Sequence, residues 1–367
     1  MKIIASKSDL QTAVNIAIRA VPAHTTMPIL QCILIQAEHS DIVLTSNDME
    51  LGIETHMNGT IEEPGTVAID AKMLSEIVRK ISDESVCIET DENHNVKLTC
   101  GKACFSIGGR SGEDFSYLPN VERDECVTIS QFTLKQVILQ TIFSIATNEN
   151  NQVMNGELFE INGDTLRVVA LDGHRIAIRR VALKETFEPR RVIVPGKTLL
   201  EISRILSGEM DEMVHVFFSK NHMVFEIPGT KIVTRLIDGE YFNVDQMISA
   251  DYETKVVVNR NSLLGCIDRA SLFVREGDKK PIIFEMTDNT LSLSIDSPLG
   301  SMNESLDIEK EGKDMVIGFN PKFMMDALKA VDDENVTMYL VNPKAPCFIR
   351  DEEMTYTYLI LPVNFTR

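Results

Sequence analysis

Charged residues recur at a constant spacing in this chain, in a pattern suited to electrostatic contact rather than to bond chemistry. Three lysines stand 125 residues apart, each followed at +4 by an acid and at +7 by a base. These positions are Lys72, Glu76 and Arg79, then Lys197, Glu201 and Arg204, then Lys322, Asp326 and Lys329. At about 100° per residue, the three positions lie within about 60° of one another on a helix. Each predicted helix therefore presents two bases and one acid on one face.

Two interpretations of this repeated face are open. The first is a solvated helix surface with intrahelical ion pairs, although base before acid is the less favourable order. The second is contact with a polyanion, because charges within a Debye length of roughly 8–10 Å decide affinity whatever the net charge. Further bases on the same or partner helices are Lys7, Arg19, Lys80, Lys135 and Arg269. A weakly positive face predicts loose phosphate contact that does not read sequence.

Two motifs resemble catalytic or nucleotide-binding signatures, and both have simpler explanations. The segment VIVPGKT (192–198) lacks the first glycine of GxxxxGK[ST], since residue 191 is arginine. Asp172-Gly173-His174 combines an acid with a base, but Asp-Gly between alternating apolar runs is first a turn. The sequence also shows no carboxylate cluster at metal-ligand spacing. These patterns favour a protein that is not an enzyme.

Composition limits the compartment and the cofactors. The net charge is −19, and no apolar run approaches the roughly 18 residues needed to span a membrane. The apolar run at the N-terminus is too short for a signal peptide. Seven cysteines, an odd number, favour reduced thiols. Cys100 and Cys104 form CGKAC without a second pair at ligand spacing, so we expect no metal and no other cofactor. We expect a cytoplasmic protein.

The repeat extends to the elements around the charged helices. Asp48, Asp172 and Asp296 are 124 residues apart, and each follows an alternating apolar run. A second helical segment begins at Asp9, Thr133 and Ser262. Strands are predicted before each charged helix (67–69, 192–194 and 316–318) and after it (86–90, 214–218 and 336–340). Each third of the chain therefore reads as two βαβββ-like halves. Polar stretches near 122–127 and 249–254 predict domains at 1–124, 125–250 and 251–367.

Five segments carry a family resemblance: LDGHRIA (171–177), VIVPGKTLLEISR (192–204), LIDGEYF (236–242), IGFNPKF (317–323) and YLILPVNF (358–365). With them the whole chain resembles the bacterial sliding clamps, the beta subunits of DNA polymerase III. The resemblance implies an α+β DNA-clamp fold with three similar domains. Two chains would pair head to tail in a ring around duplex DNA, with helices lining the hole and sheets outside. Twelve helices at about 9 Å spacing make a circle roughly 35 Å across, which leaves room for a duplex.

The resemblance implies a non-catalytic processivity factor of chromosomal replication. The implied partners are double-stranded DNA without sequence specificity, a second copy in a homodimer, the polymerase III catalytic subunit and the clamp loader. Other clamp-motif proteins, namely repair polymerases, mismatch repair proteins and ligase, would use the same surface. One alternative is a three-domain protein-interaction scaffold that does not act on DNA, favoured if the repeated bases are buried in ion pairs. Another is a polymerase- or nuclease-type enzyme, which needs a metal-binding carboxylate cluster.

The resemblance also implies three sets of site residues. DNA contact is expected at His24, Lys72, Arg79, Lys80, Lys197, Arg204, Lys322 and Lys329. A groove for partner peptides is expected at Met154, Leu171, Gly173, His174, Arg175, Ile176, Phe242, Met247, Leu359, Ile360, Leu361, Pro362 and Val363. The dimer interface is expected at Phe105, Ile107, Leu272 and Phe273. The chain departs from the family where Phe242 replaces a proline, and where His24, Asn151, Gln246 and Asn364 replace arginines.

Overall fold

The structure, a computed structural model, describes residues 1–82, 84–121, 126–147, 151–275 and 280–365. Of the predicted boundary near 122–127, residues 122–125 lie outside the described residues. The chain forms two compact units. Unit 1 comprises Met1–Phe132 and Glu201–Leu236, and unit 2 comprises Thr133–Leu200 and Ile237–Arg367. The domain limits after residues 124 and 250 stay predictions.

The described residues include six α-helices in two sets of three. The charged helices begin 125 residues apart, at α2 (Ala71–Lys80), α4 (Gly196–Ile205) and α6 (Pro321–Lys329). The other set is α1 (Lys7–Ala17), α3 (Gln131–Leu139) and α5 (Arg260–Ser271). Both predicted helix repeats are confirmed. The second set begins two residues earlier than predicted. In α1 and α5 this start follows the side-chain caps, Ser6 on the amide of Asp9 and Asn259 on the amide of Ser262.

The strands of the described residues follow the predicted order of elements. In chain order they are β1 (Lys2–Ser6), β2 (Cys32–Glu38), β3 (Asp41–Asn47), β4 (Leu51–Met57), β5 (Thr60–Glu63), β6 (Gly65–Asp70), β7 (Ser85–Thr90), β8 (Asn95–Cys100), β9 (Ala103–Arg110), β10 (Cys126–Ser130), β11 (Gly156–Leu171), β12 (Arg175–Pro195), β13 (Met213–Phe218), β14 (His222–Ile227), β15 (Thr230–Arg235), β16 (Thr254–Asn259), β17 (Ile282–Thr287), β18 (Thr290–Ser297), β19 (Gly300–Asp307), β20 (Glu309–Gly312), β21 (Met315–Phe319), β22 (Asn335–Leu340), β23 (Cys347–Arg350) and β24 (Tyr356–Ile360). Each of the six predicted strands falls within one of these.

The described strands of unit 1 form one sheet in the order β10-β13-β14-β15-β4-β3-β2-β6-β9-β8-β7-β1-β5. The join between β15 and β4 is an antiparallel ladder in which Ile232 pairs with Ile53. Both side chains are fully buried. The strands of the first third and of the middle third therefore share one sheet, as the resemblance implied when it placed continuous sheets outside.

The described strands of unit 2 form two sheets, β11-β12-β24-β23-β22-β16-β20 and β19-β18-β17-β21. In the first, Ile176 of β12 pairs with Leu359 of β24, so the middle third is joined to the last third. Since the middle third gives strands to a sheet in each unit, the compact units do not coincide with thirds of the chain.

The charged helices bury the faces predicted to be apolar. The buried side chains are Leu74, Ile77 and Ile81 near α2, Leu199, Ile202 and Leu206 near α4, and Met324, Ala327 and Val331 near α6. Helix α1 packs on α2 in unit 1, and α5 packs on α6 in unit 2. Among the described residues, no helix is long and apolar enough to cross a membrane.

Two eight-residue strands have a free edge among the described residues. Strand β9 pairs with β8 from Ala103 to Gly108, and with β6 through Gly109 and Arg110. Strand β19 pairs with β18 and ends its sheet. Both strands alternate between exposed and half-buried residues. An unpaired edge of this length is a template for another strand.

Candidate functional site

The Asp172-Gly173 segment forms the predicted turn, between β11 and β12. The Oδ1 atom of Asp172 accepts hydrogen bonds from the backbone amides of His174 (3.0 Å) and Arg175 (3.1 Å). Gly173 has a φ of 82°, which a residue without a Cβ adopts at low cost. The carbonyl oxygen of His174 accepts from the amide of Leu361 at 2.9 Å. The turn thereby fixes the chain that follows β24.

A groove of about 390 Å³ opens beside this turn in unit 2. Ten of the predicted groove residues line it: Met154, Leu171, Gly173, His174, Arg175, Ile176, Phe242, Met247, Leu359 and Leu361. Leu361 and Met247 are exposed, while Leu171, Ile176 and Leu359 are buried beneath them. A mostly apolar concavity of this size with a few polar groups fits a short peptide segment.

Three predicted groove residues do not line this cavity. Successive side chains point to opposite faces of a strand, so Leu359 faces the groove and Ile360 packs in the core of the last third. Val363 donates its amide to the oxygen of Gly318 at 2.8 Å, which draws the chain away along β21. Pro362 is half-buried on the same stretch. Pro346 lines the groove and was missed, because it precedes β23 in a turn without a sequence motif.

Arg175 organises the groove wall from inside the protein. Its Nε donates to Asp172 Oδ2 (2.9 Å), its Nη1 to Asp326 Oδ2 (2.6 Å), and its Nη2 to the carbonyl oxygen of Phe143. The guanidinium lies over the rings of Phe143 and Phe323, with Cζ 5.4 Å and 4.5 Å from the ring centroids. Its side chain is 8% exposed. Arg175 therefore positions the turn, and its guanidinium donors are engaged within the protein.

A buried carboxyl is hydrogen-bonded to Thr141, two residues before Phe143 along the chain. Glu157, at the start of β11, is fully buried, and its Oε1 accepts from the hydroxyl of Thr141 at 2.8 Å. Burial raises the pKa of the Glu157 carboxyl well above its ordinary value, and the Thr141 hydrogen bond only partly opposes this shift. Removing a carboxylate from water costs more than one hydrogen bond returns. The Glu157 carboxyl is thus neutral in the folded protein over a pH range in which the same carboxyl of the unfolded chain is ionised.

Glu157→Gln is expected to remove a pH dependence of stability. A carboxyl whose folded pKa is raised stabilises the fold at low pH, and this contribution falls as pH rises above the unfolded value. The loss has a limiting slope of about 1.4 kcal/mol per pH unit, until the pH reaches the folded pKa. Glutamine keeps the shape without the charge. Urea unfolding at pH 5 and pH 8 should show that the variant gains stability relative to the native chain mainly at pH 8. A gain that is equal at both pH values would contradict a raised pKa.

The first two charged helix faces hold the intrahelical ion pair that the sequence allowed. Both carboxylate oxygens of Glu76 accept from Arg79 Nη2 at 2.6 Å, and Lys80 Nζ lies 3.6 Å from Glu76. This pairing lowers the pKa of Glu76. Glu201 pairs with Arg204 and also lies 3.4 Å from Arg19. The bases remain solvent-exposed, so these pairs leave the faces weakly positive.

The third face differs, because its acid is engaged elsewhere. Asp326 accepts from Arg175 in the groove wall, and it forms no ion pair with Lys322 or Lys329 among the described residues. Both lysines are exposed. The third helix therefore presents two bases without the pairing that its copies have. The sequence could not indicate this, because the partner of Asp326 is 151 residues away.

The remaining predicted residues lie at the surface. His24, Lys72 and Lys197 are exposed, on a loop and on the first turns of α2 and α4. The repeated bases are exposed, so the burial in ion pairs that would have favoured the scaffold alternative is not observed. Of the predicted interface residues, Phe105 and Ile107 are half-buried on β9. Leu272, at the end of α5, is 75% exposed, and Phe273 is half-buried beside Gly300 at the start of β19.

In the described part of the chain, no group of three His, Cys, Asp or Glu side chains is placed to hold a metal ion. The seven cysteines, all of them among the described residues, form no disulfide bonds. In the CGKAC segment, Cys100 is buried at the end of β8 and Cys104 is exposed on β9.

Comparison with known proteins gives the same result along the whole chain. Three domain families of the DNA polymerase III beta subunit match in order: the N-terminal domain at residues 1–119, the central domain at 128–243 and the C-terminal domain at 245–364. The Staphylococcus aureus strain Mu50 beta sliding clamp is 32% identical over 364 residues, covering 96% of each chain.

Solved structures agree with these matches. A protein from Eubacterium rectale, assigned as a DNA polymerase III beta subunit, is 59% identical with a TM-score of 0.95, covering 100% of this chain and 99% of its own. The DNA polymerase sliding clamp of Bacillus subtilis is 31% identical with a TM-score of 0.95, covering 100% of both chains. The chain therefore belongs to the beta sliding clamp family, the non-catalytic processivity subunits of DNA polymerase III, and has the family's three-domain α+β fold.

Proposed function

We propose that two copies of this chain close head to tail into a ring around duplex DNA and tether the replicative polymerase to its template. One observation carries this proposal. A member of the clamp family repeats one helix three times at a constant period, each time with exposed bases. Loose phosphate contact lets a ring slide, while the closed topology prevents it from leaving. The tether raises the effective concentration of the polymerase at the primer end.

Ring closure uses the free strand edges in this proposal. The edge of β9 in one copy pairs with the edge of β19 in the other, and both strands are eight residues long. Phe105 and Ile107 lie on the first edge, and Leu272 and Phe273 lie beside the second. A contact between two different surfaces gives a ring when the rotation closes. The three domains then span 1–124, 125–250 and 251–367.

The groove receives the partners in this proposal. Its apolar lining suits a leucine or phenylalanine anchor in a short extended segment. The polymerase catalytic subunit, the clamp loader, repair polymerases, mismatch repair proteins and ligase would take turns on it. We propose a cytoplasmic location, since free thiols suit a reducing compartment.

The direct test of the proposal is retention on closed DNA. A clamp loaded on nicked circular DNA should co-elute with it through gel filtration and be released when a restriction enzyme linearises the circle. Retention on linear DNA with free ends should be short. Equal retention on circular and linear DNA would exclude topological binding.

Leu361→Ala is expected to weaken a polymerase-tail peptide by roughly tenfold. Leu361 is the exposed wall of the groove, and each buried methylene group contributes about 0.8 kcal/mol. Val363→Ala is the matched control, because Val363 follows in the same segment and does not line the groove. The measurement is a fluorescence polarisation titration of both variants, with the dimer mass as a check on folding. If the two variants bind the peptide equally, the partners are received elsewhere.

A further inference from the structure

A second cavity on the β11–β12 hairpin is lined by arginines. It has a volume of about 530 Å³, and its lining includes Arg167, Arg180, Arg190 and Arg191. Within the described chain, Glu160 is the one carboxylate in that lining. The chain as a whole carries a net charge of −19. Four guanidinium groups around one concavity are therefore a local reversal of charge, which we call the arginine cavity.

Two carboxylates contact arginines of the arginine cavity. Glu160 is shared, lying 3.0 Å from Arg167 Nη1 and 3.3 Å from Arg191 Nε. Asp245, in the short helix Val244–Met247, adds a second carboxylate, with its Oδ1 2.7 Å from Arg167 Nη2. Arg180 donates through Nη1 to the carbonyl oxygen of Met354 at 2.9 Å. Burial, and then the nearby charge of Arg167, lower the pKa of Arg180. An incoming anion would relieve this repulsion.

The Arg167–Asp245 contact shows which chemistry the cavity accepts. The side chain of Asp245 is 67% exposed, while that of Arg167 is 15% exposed. A solvent-facing carboxylate thus reaches a nearly buried guanidinium. The Nε–H of Arg167 is also buried and has no acceptor among the described residues. Guanidinium groups bind carboxylates well because their planar N–H donors match both carboxylate oxygens.

The arginine cavity and the groove lie along the same face of the hairpin. Across the two strands, Arg167 pairs with Arg180, and four residues further on Leu171 pairs with Ile176. Residues two and four apart on a strand share a face, so the arginine pair and the groove pair point the same way. At about 3.3 Å per residue the two pairs are roughly 13 Å apart. The short helix Val244–Met247 lies beside both, with Asp245 at the arginines and Met247 in the groove.

We propose that the arginine cavity binds acidic side chains of a partner peptide whose apolar anchor occupies the groove. This inference rests on the proposed function of the groove. Val169 and Ile178, between the two pairs, are fully buried with Val244, so the peptide would cross over the short helix. An extended segment covers about 13 Å in about four residues. Aspartate or glutamate at that spacing from the anchor would replace Asp245 on Arg167 and reach Arg191 at the rim. Partners with an acidic flank are thereby preferred over partners with a neutral flank.

The test compares two labelled peptides with the same leucine-phenylalanine anchor. One carries two aspartates about four residues from the anchor, and the other carries two asparagines. The native chain should bind the acidic peptide roughly tenfold tighter, the lower end of what charge-assisted hydrogen bonds contribute. Arg191→Gln should reduce that ratio, and Glu160→Gln should increase it by freeing two arginines. Lys184→Gln, which removes an exposed charge from the same strand, is the control and should leave the ratio unchanged.

Each outcome separates the two proposals. If the neutral peptide binds and the Leu361→Ala variant weakens it, but both peptides bind the native chain equally, the groove stands and the arginine cavity inference is wrong. If neither peptide binds, the groove assignment itself fails. A separate titration with inorganic phosphate alone covers the other source of anions. Phosphate binding that Arg191→Gln abolishes, together with equal peptide affinities, would overturn the peptide proposal in favour of a free phosphate site.

Discussion

Replacing the six repeated bases with alanine is expected to impair loading onto circular DNA strongly, while the ring still forms. The substituted residues are Lys72, Arg79, Lys197, Arg204, Lys322 and Lys329. All six are exposed, so the change removes charge without opening the core. Each lost phosphate contact lowers the slope of log K against log salt by about 0.9, so six contacts correspond to about five units.

The control for this variant changes six exposed lysines that lie on strands and turns. They are Lys97, Lys102, Lys184, Lys220, Lys313 and Lys344. Both variants have the same net charge change, so a difference between them reports where the DNA lies rather than how much charge the protein carries. Loading is measured on nicked circular DNA at several salt concentrations. If loading falls equally in the two variants, the helix faces are not the DNA-contacting surface.

The two bases of α6 should account for more of the loss of loading than the two bases of α2 or of α4. Lys322 and Lys329 have exposed ammonium groups whose neighbouring acid is held by Arg175, whereas Arg79 and Arg204 are paired on their own helices. An unpaired base neutralises a phosphate without first breaking an ion pair. The geometry of the groove wall thus sets the charge of a helix that we propose to face DNA.

Leu272→Ala combined with Phe273→Ala is expected to convert the dimer into monomers. Burial of a leucine or phenylalanine side chain contributes about 1.5–3 kcal/mol, and a ring has two copies of the interface. The dissociation constant should therefore rise roughly a thousandfold or more. Sedimentation velocity measures the mass directly, and retention on circular DNA should be lost with the dimer.

The double variant needs two controls. Met210→Ala removes another exposed apolar side chain, 69% exposed, on a turn of unit 1. Leu272→Ala alone leaves the Phe273 ring on the backbone of Gly300 and so keeps the start of β19 intact. If the double variant keeps the native mass, closure uses a different surface.

The period of the helix repeat follows from the sequence alone, because helix geometry is local. In each copy, the positions of the lysine, the acid and the second base, and the apolar face opposite them, follow from helix geometry over a few residues. The same holds for the turn at Asp172 and Gly173. These features depend on contacts within a few residues, so composition and spacing suffice to predict them.

Contacts between distant residues were decided only by the tertiary structure. Asp326 could pair with Lys322 or Lys329 by sequence, yet Arg175 binds it because the groove wall brings a buried guanidinium within 2.6 Å. Because successive side chains of a strand point to opposite faces, Ile360 points away from the groove. Pro346 lies in the groove because of a turn that has no sequence motif. The arginine cavity gathers bases from two strands whose ladder is shifted by irregularities between Ile161 and Thr165, which no sequence motif marked. Pairing across a sheet depends on the packing of whole elements, and that information is distributed over the chain rather than written at any one site.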